Sequence, residues 1–183
     1  MIREQLNRCG FGSRNGSETA SQVEHLESLI GVRLPGDYRT FLLNVDSGDL
    51  GDALANCTQP TPFGEHIMAE LFSAANVEDL LDSTVTPRNM ICIGYGHFGR
   101  TTCLLIAGAG HGHLFSLDTE TRHYKWTAEV LKSLPHLAES VREFFRLRDA
   151  DELPECPWGY ENLFHIADSF NEFVGKLYVK QRD

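Results

Sequence analysis

Three runs of β-forming residues follow one another in the middle of the chain, with glycines and no helical periodicity between them. They cover residues 90–93, 101–107 and 113–118, and residues 124–126 offer a fourth. Consecutive strands joined by short turns pair antiparallel, because parallel neighbours need a long crossover. Helical patterns stand before and after this block. The order predicts an α+β fold, with a central, mostly antiparallel sheet and helices packed on it from both ends of the chain.

Local capping and breaker signals set the bounds of the predicted helices. Thr19 and Gln22 have the spacing of a capping box, and Gly31 suits the left-handed position that ends a helix. Ser169 and Glu172 repeat the capping-box spacing near the end of the chain. The predicted helices cover residues 19–31, 35–44, 76–81 with Asn76 as the cap, 137–148, and a last stretch that begins at Ser169.

The length of 183 residues fits a single domain. Residues 1–16 carry Gly10, Gly12 and Gly16 among polar side chains. Glycine-rich polar segments at a chain end have little apolar surface to bury, so we predict a flexible leader there. Residues 17–183 are predicted to form one domain.

The segment ICIGYGHFGRTT places Gly94, Gly96 and Gly99 at the spacing of a dinucleotide-binding loop. That loop works only where the glycines open a helix, because the helix N-terminus holds the pyrophosphate. Here the residues after Gly99 are β-formers that end at a glycine. The glycines therefore predict a hairpin turn between two strands and not a nucleotide site.

Charge is unevenly distributed along the chain. The formal net charge is −10, which argues against nucleic acid or an anionic membrane as the main partner. Residues 40–87 contain no Lys or Arg. Their carboxylates are interpreted either as a surface that steers a basic protein partner or as a solvated acidic region. The candidate partner-binding residues are Asp46, Asp49, Asp52, Glu65, Glu70, Glu78, Asp79 and Asp82.

No cofactor or metal is expected. The aspartates at 46, 49 and 52 miss the ligand spacing of an EF-hand loop. His111 and His113 could share one strand face, with His97 as a possible neighbour, but the sequence indicates no third ligand. We interpret these histidines as surface residues at turns.

We also expect no enzymatic activity. Cys92 and Cys103 lie in strand interiors, where a thiol is usually inert. No nucleophile elbow or fixed pair of carboxylates is evident. The five cysteines are widely spaced without CxxC, which argues against a disulfide framework. With no signal-peptide pattern and no apolar stretch of membrane-spanning length, we expect a cytoplasmic protein.

Three blocks of sequence are similar to one known family. They are VEHLESLIGVRLPGDYRTFLL, ICIGYGHFGRTTCLLIAGAGHGHLFSLD and IADSFNEFVGKL. In this order they resemble the SUKH superfamily, which includes bacterial toxin-immunity proteins and yeast cell-wall-synthesis regulators. The positions that carry the resemblance, and to which it gives a structural role, are Gly31, Leu34, Pro35, Tyr38, Phe41, Ile93, Gly94, Gly99, Gly112, Asp118, Ser169, Phe170 and Phe173.

The resemblance implies a protein-binding module. One hypothesis is an immunity protein that binds and neutralises a cognate toxin, such as one with a basic nuclease-type domain. The alternative is a regulatory scaffold that binds several host proteins. The sequence leaves the oligomeric state open.

Overall fold

The computed structural model describes residues 2–14, 16–45, 47–58, 61, 64–83, 86–97, 99–118, 139–152 and 163–180, without the side chains of residues 67, 140, 141, 144, 145 and 148. The helices are α1 (Ile2–Arg8), α2 (Ala20–Ile30), α3 (Gly36–Asn44), α4 (Ala74–Asp79), α5 (Glu139–Asp149) and α6 (Phe170–Lys176). The strands are β1 (Gly12–Ser13), β2 (Gly48–Asp49), β3 (Leu54–Ala55), β4 (His66–Leu71), β5 (Met90–Gly96), β6 (Arg100–Leu105), β7 (Leu114–Asp118) and β8 (Leu163–Ala167).

The strands form one sheet in the order β1-β2-β4-β5-β6-β7-β8, with β3 also paired to β4. The named strand pairs are antiparallel. Strands β5, β6 and β7 are the predicted meander, since each pairs with the next along the chain. Helices from both ends of the chain pack together, α1 and α3 against α6. The predicted α+β architecture is confirmed. Among the described residues, no helix has the length and apolar character needed to cross a bilayer.

The glycine segment forms the predicted hairpin. Gly94 pairs with Thr102 across β5 and β6, and Gly99 adopts φ +72° in the turn between them. Strand β6 follows that turn directly, so the glycines open no helix and present no helix N-terminus to a pyrophosphate. This geometry is inconsistent with the dinucleotide motif.

Several predicted bounds match the structure because their signals are local. Thr19 and Gln22 form a reciprocal capping box, and Gly31 ends α2 with φ +72°. The prediction that Asn76 caps α4 is wrong, because Ser73 is the cap and its hydroxyl accepts from the Asn76 N–H. The Ser169 hydroxyl caps α6 as expected, but the Glu172 side chain accepts from the Asp168 N–H.

Six elements were not predicted as such, namely α1 and the strands β1, β2, β3, β4 and β8. Strand β4 falls in a stretch that was left unassigned. Strand β8 falls where a loop and the start of the last helix were expected. Residues 1–16, the predicted flexible leader, instead contain α1 and β1, and Leu6 is fully buried in the core. The seven residues of α1 contain one buried leucine, and so few apolar positions give too weak a periodic pattern to predict a helix. The fourth predicted strand, residues 124–126, lies outside the described residues.

Candidate functional site

The family-motif positions converge in the interior. Tyr38 and Phe41 on α3 meet Phe170 of α6, with ring centroids 5.2 Å and 4.7 Å from it. Phe173 lies 5.9 Å beyond Phe170. All four rings are fully buried, so the first and last sequence blocks make one aromatic cluster that joins α3 to α6.

Three further motif positions make close contacts within the sheet or between the sheet and the start of α3. Gly112 adopts φ +100°, and a Cβ there would lie 3.7 Å from Pro35. A Cβ at Gly94 would meet the Glu70 carbonyl oxygen at 2.4 Å. Asp118 is buried at the end of β7, opposite Arg100 of β6. These contacts maintain the fold, so groups that select a partner must lie elsewhere.

Two of the candidate acidic residues lie side by side and share one arginine. Asp49 of β2 is the register partner of Glu70 on β4. Arg14 forms ion pairs with both carboxylates, through its Nη2 to Asp49 and its Nη1 to Glu70 at 2.8 Å. The adjacent carboxylates raise the pKa of Arg14 further. The guanidinium offsets much of the negative charge at this corner. Sequence reasoning missed this residue because Arg14 fell in the predicted leader.

Glu65 lies just before the other end of β4. It accepts hydrogen bonds from the Tyr178 hydroxyl at 2.8 Å and the Lys180 amine at 2.7 Å. These donors lower the pKa of Glu65. Five residues of extended strand separate Glu65 from Glu70, or about 16 Å, so the two carboxylates are not neighbours.

A third acidic group occupies α4 and the turn after it. Glu78, Asp79 and Asp82 are exposed within five consecutive positions. In the part of the chain that the structure describes, none of the three pairs with Lys or Arg, and Glu78 lies 3.5 Å from the His25 imidazole. This set is called the α4 acidic group. Asp52 is exposed in the turn after β2, and Asp46 lies outside the described residues.

Six of the eight candidate acidic residues thus fall into three sets. Asp49 and Glu70 pair with Arg14, and Glu65 pairs with Lys180. Within the described residues, no Lys or Arg pairs with the α4 acidic group. Exposed carboxylates of this kind can attract a basic surface over several ångströms and align it on approach.

A buried polar network lies inside the core. His66 of β4 is fully buried, with Nε2 2.9 Å from the Thr102 hydroxyl and Nδ1 2.8 Å from the Ser116 hydroxyl. Burial, aided by Arg100, lowers the pKa of His66 to about 3. The Ser116–His66 contact is inaccessible to solvent, so the network supports the sheet and does not present a nucleophile to a substrate.

Among the described residues, His97, His111 and His113 do not form a shared set of metal ligands. His97 and His111 are exposed, and the His111 Nε2 lies 3.4 Å from the Arg33 carbonyl oxygen. His113 instead lies beside His165 of β8 and Asp168, with one ligand atom of each within 4.8 Å of the others. The spacing of His165 and Asp168, three residues apart, is the signal that sequence reasoning left unused.

One comparison identifies relatives of this chain. The model of the SMI1 / KNR4 family (SUKH-1) matches residues 18–176. The match covers the first two sequence blocks, the third block except Leu177, and the elements from α2 to α6. No curated protein matches the chain.

Proposed function

The chain belongs to the SMI1/KNR4 family (SUKH-1), and on that premise we propose that it is an immunity protein that binds a cognate toxin and neutralises it. The family supports a toxin-immunity or regulator-like module that interacts with proteins. In the proposal the chain performs no chemistry. It inhibits by covering the active site of the toxin in the cytoplasm of the cell that must be protected.

The α4 acidic group is the observation that supports this proposal most directly. Its three carboxylates are exposed on α4 and the turn after it, and no Lys or Arg occurs in residues 40–87. A toxin that cleaves nucleic acid needs a basic surface to hold its substrate. Carboxylates held on α4 and the turn after it can occupy that surface in place of phosphates, which excludes the substrate.

The test begins with capture of the partner. The immobilised full chain is exposed to a lysate that contains the candidate toxin, and bound proteins are eluted with rising salt. We expect one stoichiometric partner with a basic domain, because opposed charges bind more weakly as salt screens them. The purified partner is then assayed for toxic activity with increasing amounts of the chain, and we expect inhibition that saturates at equal amounts.

A matched pair of variants tests the role of the α4 acidic group. The first combines Glu78→Gln, Asp79→Asn and Asp82→Asn. We expect its association rate constant at low salt to fall about tenfold, since steering by charge acts mainly on association. The control removes the same charge elsewhere, at the exposed positions Glu4, Glu139 and Asp151, and should associate as the wild type does.

Two outcomes would contradict parts of the proposal. Equal association rates for both variants would remove the α4 acidic group from the binding surface. Capture of several weakly held host proteins, with no inhibition of any toxin, would overturn the immunity function in favour of the regulator-like scaffold.

A further inference from the structure

Three potential metal ligands meet where β7 begins and β8 ends. The Asp168 Oδ1 lies 3.0 Å from the His165 Nε2 and 3.8 Å from the His113 Nδ1. Ligand atoms around a tetrahedral zinc ion, with bonds of about 2.0–2.1 Å, lie about 3.4 Å apart. The two observed distances bracket that spacing, and all three ligand atoms lie within 4.8 Å of one another. Side-chain rotation can therefore bring them around one ion.

Thr58 fixes the orientation of the His165 ring through the nitrogen that faces away from Asp168. Its Nδ1 lies 3.2 Å from the Thr58 hydroxyl, and the Thr58 N–H donates to the His165 carbonyl at 2.8 Å. When Nδ1–H donates to that hydroxyl, the lone pair is on Nε2, which faces Asp168. Histidine ligands of metals ordinarily have such a partner on the second ring nitrogen.

The position of His113 depends on a glycine. Gly110 adopts φ +85°, and a Cβ there would lie 3.0 Å from the His113 Nδ1. The absence of a side chain at 110 leaves this nitrogen open toward Asp168. The His113 and His165 rings lie 5.3 Å apart between centroids at 61°, so both can present nitrogen atoms to one point.

The electrostatic surroundings are compatible with a cation. Lys176 is a nearby positive charge, and it is paired to Glu172 at 2.5 Å. The Asp168 side chain is 71% exposed, whereas His113 and His165 are 34% and 27% exposed. One side of the cluster is therefore open to water.

We propose that His113, His165 and Asp168 bind one divalent transition-metal ion, with water in the remaining coordination position. Two imidazoles and one carboxylate suit zinc and its first-row neighbours better than calcium or magnesium, which prefer oxygen ligands. The bound ion joins the loop before β7, the end of β8 and the start of α6.

Titration of the full chain, produced without a histidine tag, tests the site. Zn²⁺ is added in competition with a chromophoric chelator, and Co²⁺ binding is followed by visible absorption. We expect one ion per chain and a cobalt spectrum without the intense near-ultraviolet band of thiolate ligands, since no cysteine belongs to the cluster. Zn²⁺ should also raise the unfolding temperature, because it binds only the folded site.

Single substitutions decide whether these residues are the ligands. His113→Gln and Asp168→Asn should each weaken Zn²⁺ binding at least tenfold, while His111→Gln, two residues away and outside the cluster, should not. Thr58→Val should weaken it about 10- to 100-fold through loss of the partner that orients His165, and Thr58→Ser should restore it. Circular dichroism checks that each variant is folded.

The proposal fails if the wild type binds no stoichiometric Zn²⁺. It also fails if folded His113→Gln and Asp168→Asn variants bind as the wild type does, or if the cobalt spectrum shows thiolate coordination.

Discussion

At position 94 a hydrogen atom is the largest substituent that the sheet accommodates. The Cβ of an alanine would lie 2.4 Å from the backbone oxygen of Glu70, and backbone in a paired strand cannot move aside. We expect Gly94→Ala to lower the free energy of unfolding by about 1–3 kcal/mol. Urea-induced unfolding followed by circular dichroism measures the change.

Gly175 provides the matched control for that substitution. It lies in α6, and a Cβ there would have no atom within 4 Å. Alanine is favoured over glycine in a helix by about 1 kcal/mol, so Gly175→Ala should increase stability. Equal effects of the two substitutions would contradict the close approach of β4 and β5.

His66 gives the protein a pH dependence with a definite sign. An unfolded histidine titrates near about pH 6.5, whereas the pKa of folded His66 is about 3. The folded state binds fewer protons between these values. The contribution of neutral His66 to the free energy of unfolding is therefore complete above about pH 6.5. It is lost as the pH falls, by up to about 1.4 kcal/mol per pH unit.

The variant His66→Gln isolates this effect. Glutamine can hydrogen-bond to the Thr102 and Ser116 hydroxyls but does not titrate. The free energy of unfolding is measured from about pH 7 to about pH 5 for both proteins. We expect the wild type to lose stability more steeply, and parallel curves would exclude His66 as the source.

At the residue scale, sequence reasoning succeeds where the requirement is local. Gly31 and Gly99 were predicted at a helix end and a turn, and both have positive φ. The roles of His66 and Arg14 could not be predicted, because their partners are distant in sequence. Ser116 lies 50 residues from His66, and Glu70 lies 56 residues from Arg14. Only the folded sheet brings those groups together.

At the scale of elements, two nearby residues, Ser73 and Asn76, could each cap the N-terminus of α4, and the structure shows which one does. Ser73 accepts from the Asn76 N–H, and its own hydroxyl donates to the Asn76 side chain at 2.8 Å. We expect Ser73→Ala to cost about 1 kcal/mol of stability, the usual effect of losing an N-cap. Denaturant unfolding should show a much smaller cost for Asn76→Ala, which keeps the capped N–H. A larger stability cost for Asn76→Ala than for Ser73→Ala would instead indicate that Asn76 is the cap.

The unpredicted strands show where element-level patterns are insufficient. Strand β4 has Glu70 in a strand interior, paired across to Tyr95 and bridged to Arg14, so its sequence lacks a clean alternation. Strand β8 is five residues long, and the capping residue of α6 follows two residues after it, so the strand has no clear boundary in the sequence. Both strands are stabilised by neighbours distant in sequence, whereas α2 and α6 have their caps within three residues.

At the scale of the whole molecule, the first helix belongs to the core. Leu6 is fully buried among residues from the rest of the chain. Leu6→Ala should lower the free energy of unfolding by about 2–5 kcal/mol. Leu29→Ala, at a position 49% exposed on α2, should change it by less than about 0.5 kcal/mol. A Leu6→Ala effect as small as the control would restore the flexible leader.

The order of elements predicted the class of fold, and the sheet confirms it. The order could not place α1, because a helix of seven residues is defined by what it packs against and not by its own propensity. The candidate site is predictable to a similar degree. Sequence identifies the acidic stretch, but only the structure separates the carboxylates that Arg14 and Lys180 neutralise from those of α4.

The contact between the two ends of the chain has a consequence for synthesis. The Gln5 side chain donates to the Leu177 carbonyl oxygen across 172 residues. At about 5–20 residues per second, a ribosome needs roughly 10–30 s to make the second partner after the first. During that time the contact between α1 and α6 cannot form, so α1 gains its full set of native contacts only after α6 has been synthesised.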